Sequence, residues 1–101
     1  MVYGYARVST KGQLAGNSIE EQTTAIKKIY ENAEIVVESY SGVKERPLFN
    51  SILEKAQEND YVVVTKLDRF CRSTKEGLEY IDFLMNKGVK IHILNMGLIE
   101  N

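Results

Sequence analysis

Tyr61-Val62-Val63-Val64-Thr65 decides the fold, because a helix pattern follows it instead of a hairpin turn. A strand that is almost all valine is expected to be buried on both faces, and such strands belong to parallel sheets covered by helices. Downstream, Ser73 and Glu76 have the spacing of a capping box. The helix they open carries Leu78, Ile81, Leu84 and Met85 and stops at Gly88. Val89 to Leu94 reads as the next strand. Upstream, Pro47 opens a helix at the position where a missing N–H costs nothing, with Leu48, Ile52, Leu53 and Ala56 as its apolar stripe. Glu34 to Glu38 reads as a strand before it. Ser18 to Glu31 reads as a helix, with Ser18 and Glu21 as a second capping box and Ile19, Gln22, Ile26, Ile29 and Tyr30 at helical spacing. Val2 to Val8 is the first strand. Strands and helices alternate throughout. That pattern predicts an α/β fold of three layers, a mainly parallel sheet of at least four strands with helices on both faces. The alternation does not fix the strand order. Met96 to Asn101 reads as a loop leading into further chain.

The 101 residues are one small domain or part of one, with 44% hydrophobic and 27% charged residues, an ordinary globular composition. No apolar run approaches the roughly 20 residues that span a bilayer, and the start lacks a signal-peptide layout, so no membrane and a cytoplasmic location are expected. A single cysteine, Cys71, excludes an internal disulfide. Net charge is −1, which argues against binding nucleic acid over the whole surface. A local anion site remains open, so the placement of charge matters more than its sum.

The four arginines are placed unevenly. Arg7 ends the first strand, Arg46 follows the second, and Arg69 and Arg72 follow the third, while nine lysines are scattered along the chain. In a parallel sheet those three loops emerge at the carboxyl edge, where open α/β sheets bind ligands. One arginine in such a loop is ordinary solvated surface. Four after three successive strands predict an anion site, and guanidinium forks match phosphate oxygens. The helix starts at Ser18 and Ser73 are expected to add partial positive charge there. Ser9 stands two residues beyond Arg7, on the same strand face. The only histidine, His92, lies inside a strand away from that edge, so a Ser-His-Asp triad is not expected. Cys71 is too close to Arg72 for a cysteine phosphatase loop and reads as a packing residue. No G-x-x-x-x-G-K loop and no metal-ligand spacing occur. A serine among arginines remains, with Asp68 as the embedded carboxylate that would orient a guanidinium or move a proton.

Four segments in register carry a resemblance. Tyr5-Ala6-Arg7-Val8-Ser9-Thr10, Ser18-Ile19-Glu20-Glu21-Gln22, Ser41-Gly42 with Arg46-Pro47, and Leu67-Asp68-Arg69-Phe70-Cys71-Arg72-Ser73 resemble, in order and spacing, the signatures of the serine recombinase catalytic domain, the resolvase/invertase family. The resemblance covers nearly the whole chain. It implies a resolvase-like fold and DNA as the substrate. Ser9 would be the nucleophile, forming a 5′-phosphoserine link. Arg7, Arg69 and Arg72 would contact the scissile phosphate, and Arg46 would assist. Gln22 and Asp68 would position these groups, and Ser41 would be a supporting polar contact to substrate. It implies no metal or nucleotide cofactor and a homo-oligomer, dimer to tetramer, in the full-length protein. Residues 1–101 would be the N-terminal part of the catalytic domain, with an oligomerisation helix and a DNA-binding domain beyond Asn101. Cys71 departs from the pattern, standing where members usually have glycine or serine. Two other readings stay open: a flavodoxin-like module that holds a phosphate or nucleotide without chemistry, and an inert regulatory derivative of the same fold.

Overall fold

The computed structural model describes residues 1–9, 19–40 and 46–99, with the backbone alone at positions 8, 9, 39 and 40. Within these residues the chain runs β1 (Val2–Ser9), α1 (Ile19–Ile29), β2 (Glu34–Tyr40), α2 (Pro47–Lys55), β3 (Tyr61–Val64), α3 (Leu67–Phe70), α4 (Thr74–Asn86), β4 (Lys90–Ile93) and β5 (Gly97–Ile99). The sheet order is β2-β1-β3-β4-β5. The pairs β1/β2, β1/β3 and β3/β4 are parallel, and β4/β5 is antiparallel.

The expected three layers form around that sheet. On one face Ile26 of α1 packs with Val63 and Ala33. Gly4 makes this approach possible, since a Cβ there would stand 2.7 Å from the Ile35 side chain and 3.0 Å from that of Ile26. The other face holds the main core, where α2, α3 and α4 contribute Phe49, Ile52, Phe70 and Leu84 against Tyr3, Tyr5, Val62, Val64, Ile91 and Ile93. Phe49 is its hub, with ring centroids of Tyr5, Tyr80 and Phe70 at 4.9, 5.1 and 5.7 Å. Tilted ring pairs of this kind contribute roughly 0.5–1.5 kcal/mol each beyond the area they bury.

The valine strand is buried as its composition predicts, with Val62, Val63 and Val64 fully enclosed. Helix α4 ends as Gly88 predicts. That residue has φ 79°, its N–H donates to the Met85 carbonyl, and Val89 N–H donates to Leu84 O, which closes a Schellman motif.

Four expectations need correction. Residues 97–99 form an edge strand instead of a loop, pairing Ile91 with Ile99 and Ile93 with Gly97. Leu67–Phe70 is a single helical turn inside what reads as a loop. The apolar stripe of α2 is rotated, so Phe49 is buried and Leu48 is half exposed. Leu78 and Ile29, expected to face the core, are largely exposed. The capping box at Ser73 forms by half. Ser73 Oγ accepts from Glu76 N–H at 3.1 Å, but the Glu76 carboxylate takes the Arg72 N–H instead of that of Ser73. Ser18 and Thr10 lie outside the described residues.

The strand order places a topological switch between β1 and β3. From β1 the chain passes to β2 on one side by way of α1, then to β3 on the other side by way of α2 on the opposite face. The crevice at the carboxyl ends of β1 and β3 is where such sheets bind ligands.

Candidate active site

Arg7 lies near the carboxyl end of β1, beyond the stretch of β1 that β3 flanks, since that pairing covers only Val2 to Gly4. Its backbone N–H and C=O therefore need another partner. Gln22, which is buried in α1, supplies both. Its Oε1 accepts from Arg7 N–H at 3.0 Å, and its Nε2 donates to Arg7 O at 3.0 Å. The side-chain amide thus acts as one residue of a missing strand and pins the backbone that carries Arg7. Two residues further, β1 ends at Ser9, whose backbone pairs with Tyr40.

The guanidinium of Arg7 reaches across to α3, donating from Nη2 to the Asp68 carbonyl at 2.8 Å. Arg46 does the same from the other side, donating from Nη1 to Arg69 O at 3.2 Å and from Nη2 to Phe70 O at 2.8 Å. The pattern has a simple cause. The last carbonyls of a helix have no partner within it. In this one-turn helix Leu67 O is taken by Cys71 N–H, and the next three carbonyls are satisfied by two arginines. The Leu67–Cys71 turn is thereby clamped against the ends of β1 and α2.

Arg46 is the most enclosed of the four, only 4% exposed. Its guanidinium carbon lies 4.1 Å from the Phe49 ring centroid and 5.4 Å from that of Tyr80. It occupies the N-cap of α2 but offers no side-chain oxygen to the first helical N–H groups. Glu38, on β2, supplies that acceptor. Its carboxylate accepts from Leu48 N–H at 2.9 Å, Phe49 N–H at 3.2 Å and the Tyr5 hydroxyl at 2.6 Å. A carboxylate at a helix N-terminus is favoured by the local dipole. Burial, then the hydrogen bond to Glu38, pushes the Tyr5 hydroxyl far above its ordinary range, so Tyr5 is a neutral donor. Sequence reasoning missed Glu38. Its signal was indirect: a helix that starts Arg-Pro has no capping side chain of its own and must borrow one.

Arg72 lies between α3 and α4. Its N–H donates to Glu76 Oε1 at 2.9 Å and its Nη2 to Glu76 Oε2 at 3.2 Å. Arg46 Nη2 stands 3.8 Å from the same carboxylate. Burial opposes ionisation of Glu76, but the Arg72 N–H and the two guanidiniums outweigh it and hold the carboxyl below its ordinary range. Burial also lowers the Arg7 pKa, and Arg46, Arg69 and Arg72 add to that by repulsion. Cys71 is buried, with its thiol pKa raised by burial and by Glu76, and it packs against Gly77.

The structure therefore brings Arg7, Arg46, Arg69, Arg72 and Gln22 together at the carboxyl end of β1. Asp68 is there too, but through its carbonyl; its side chain is exposed and makes no ion pair with Arg69 or Arg72 among the described residues. Ser41 lies outside the described residues. His92 is away from this edge, on the α1 face, where its Nδ1 is 2.6 Å from the Tyr30 hydroxyl. No group of three or more metal-ligating side chains occurs among the described residues, and none of their helices is long and apolar enough to cross a membrane.

The fold and its edge define a class, a doubly wound α/β domain with an arginine cluster at the carboxyl end of β1, beside its switch point. Residues 2–101 match the family model described as Resolvase, N terminal domain, and the chain belongs to that family. It is 38% identical over 95 residues to a resolvase of Clostridium perfringens (strain 13 / Type A), covering 93% of this chain and 49% of that protein. It is 32% identical to the serine recombinase PinR of Escherichia coli K12, covering 98% of this chain and 52% of PinR. A crystal structure of a resolvase family site-specific recombinase from Streptococcus pneumoniae superposes with a TM-score of 0.69 at 32% identity, over 95% of this chain and 72% of that one. The chain spans about half the length of the curated relatives it matches.

Proposed function

We propose that this domain is the catalytic N-terminal part of a serine recombinase that breaks and rejoins DNA. The observation that carries the reading is the arginine cluster at the carboxyl end of β1, whose last residue is Ser9. In this reading the Ser9 oxygen gives up its proton and bonds to a DNA phosphorus. The bond from phosphorus to the 3′ oxygen breaks, and that oxygen takes up a proton. The products are a 5′-phosphoserine link and a 3′-hydroxyl. Reversal by a different 3′-hydroxyl rejoins the strand, and no nucleotide is consumed because the covalent link conserves the bond.

The arginines divide the work. Arg7, Arg69 and Arg72 stabilise the charge that builds on the phosphate oxygens, an effect that fixed donors produce without reorganisation. Arg46, with its Nη atoms on two carbonyls, positions the turn that bears Arg69. Gln22 positions Arg7 through its backbone. Asp68, exposed beside them, serves in proton transfer, and Ser41 contacts substrate. DNA is the partner, and segments of the full-length protein beyond this domain supply its oligomerisation into dimers and tetramers and its sequence recognition.

The test uses the full-length protein and a supercoiled plasmid carrying its recombination site. Ser9→Ala should abolish the denaturant-stable protein–DNA adduct while leaving circular dichroism unchanged. An adduct that persists in Ser9→Ala refutes the assignment. A domain that merely holds a phosphate predicts no adduct from either protein.

A further inference from the structure

Four guanidiniums in one crevice repel one another, and the crevice must hold together when no DNA is present. The α3 carbonyls supply part of the compensation, but they carry no net charge. Glu38 is spent on the α2 N-terminus and Tyr5. Among the described residues, the carboxylate whose ion pairs reach two of the guanidiniums is Glu76, at 3.2 Å from Arg72 and 3.8 Å from Arg46. We propose that Glu76 is the resident counter-ion of the arginine cluster, holding Arg72 in the unbound domain and surrendering it to a DNA phosphate. This rests on the site reading given above.

The two arginines differ in their freedom to leave. The Arg46 side chain is 3% exposed and is fixed by two carbonyls and the Phe49 ring. The Arg72 side chain is 38% exposed, and its guanidinium meets Glu76 through one charged hydrogen bond. An exposed pair of this kind is weak, so an incoming phosphate, with more acceptor oxygens, competes well for the fork. The Arg72 backbone does not need to move, because Glu76 Oε1 continues to accept its N–H at 2.9 Å. Glu76 thus sets a threshold. It discourages stray anions and stays behind as a like charge that lowers the net affinity for phosphate.

The experiment compares wild type with Glu76→Gln, which keeps one acceptor oxygen for the Arg72 N–H and loses the charge together with the second acceptor oxygen that faces Arg72 Nη2. Thermal unfolding is followed against dimethyl phosphate, a phosphodiester probe, at constant ionic strength. Without the probe, Glu76→Gln should melt below wild type. With it, the variant should show the larger rise and a dissociation constant lower by about fivefold or more, the lower end of ordinary coupling between charged sites. A second measurement needs no variant of Glu76. In arginine side-chain NMR of the wild-type chain, with signals assigned by Arg72→Lys and Arg46→Lys, the probe should shift Arg72 Nε and leave Arg46 Nε in place. Equal affinity and equal stability of the two proteins, or Arg46 moving as far as Arg72, overturns the counter-ion role while leaving the site intact. No response to the probe in either protein overturns the site reading as well.

Discussion

Replacing Glu38 by alanine removes one carboxylate and strands three donors at once. The Tyr5 hydroxyl and the Phe49 N–H belong to fully buried residues, whereas Leu48 is 44% exposed and its N–H can turn to water. A buried donor left without a partner costs about 1–3 kcal/mol. Two such donors, with a small contribution from the third, make Glu38→Ala cost about 3–5 kcal/mol. A domain of this length has a total stability of about 5–15 kcal/mol, so the variant should be close to unfolding. Glu38→Gln keeps one acceptor oxygen and should cost about 1–2 kcal/mol, in line with losing charge assistance from its hydrogen bonds. Tyr5→Phe sharpens the test. In wild type it removes one hydrogen bond and should cost about 1 kcal/mol. In the Glu38→Ala background it removes a stranded hydroxyl and should be neutral or stabilising. The assay is urea unfolding by circular dichroism, read as a double-mutant cycle. If Glu38→Ala costs less than about 1 kcal/mol, or Tyr5→Phe costs the same in both backgrounds, the carboxylate does not hold the α2 N-terminus and the account of the network fails.

Two further outcomes follow from the C-terminal half. Gly88→Ala should cost about 1–2 kcal/mol, because φ 79° is a left-handed conformation that an L side chain resists and the new Cβ would meet Glu58 Cγ at 2.8 Å; an unchanged urea midpoint would contradict this. Glu76 also makes stability depend on acid. Its carboxyl is held below the ordinary range, so the unfolded chain binds more protons as the solution is acidified. The stabilisation is present above the ordinary glutamate pKa and is lost as pH falls through the folded value. The stability gap between wild type and Glu76→Gln should therefore narrow on going from pH 6 towards pH 3, and a gap that stays constant over that range would show that the charge of Glu76 contributes nothing.

The long elements were legible because their signals are periodic and local. The valines of β3, the Pro47 start of α2 and the Gly88 stop of α4 each state a physical requirement within a few residues. What escaped was short or non-local. A three-residue strand such as Gly97–Ile99 has no period to read, and it forms only because β4 offers an open edge. The single turn Leu67–Phe70 is too short to be stable by itself and depends on arginines from distant segments that take its carbonyls. The strand order, with β1 between β2 and β3, depends on which face each helix covers, and local sequence does not record that. For the candidate site, the position of the arginines after successive strands was readable, since a parallel sheet sends those loops to one edge. Their anchors were not. Glu38 looks like an ordinary polar position in a strand until α2 docks onto it.

Those anchors explain why four like charges can share a crevice. Three of the four are tied differently, by guanidinium or backbone: Arg7 to Gln22 and the Asp68 carbonyl, Arg46 to the Arg69 and Phe70 carbonyls, Arg72 to Glu76. Carbonyl dipoles neutralise without competing as anions, so Arg7 and Arg46 can keep their ties when a phosphate arrives. At Arg72 a phosphate and the Glu76 carboxylate are both anions drawn to one guanidinium, so there the incoming group meets a like charge. The arginines are therefore not interchangeable. Losing the Arg46 ties would loosen the α3 turn and with it the aim of Arg69, whereas losing the Arg72 tie would free a cation for substrate. In the proposed reading the Arg7 and Arg46 donors are held in place before DNA binds, which is the condition under which fixed charge lowers a phosphoryl-transfer barrier.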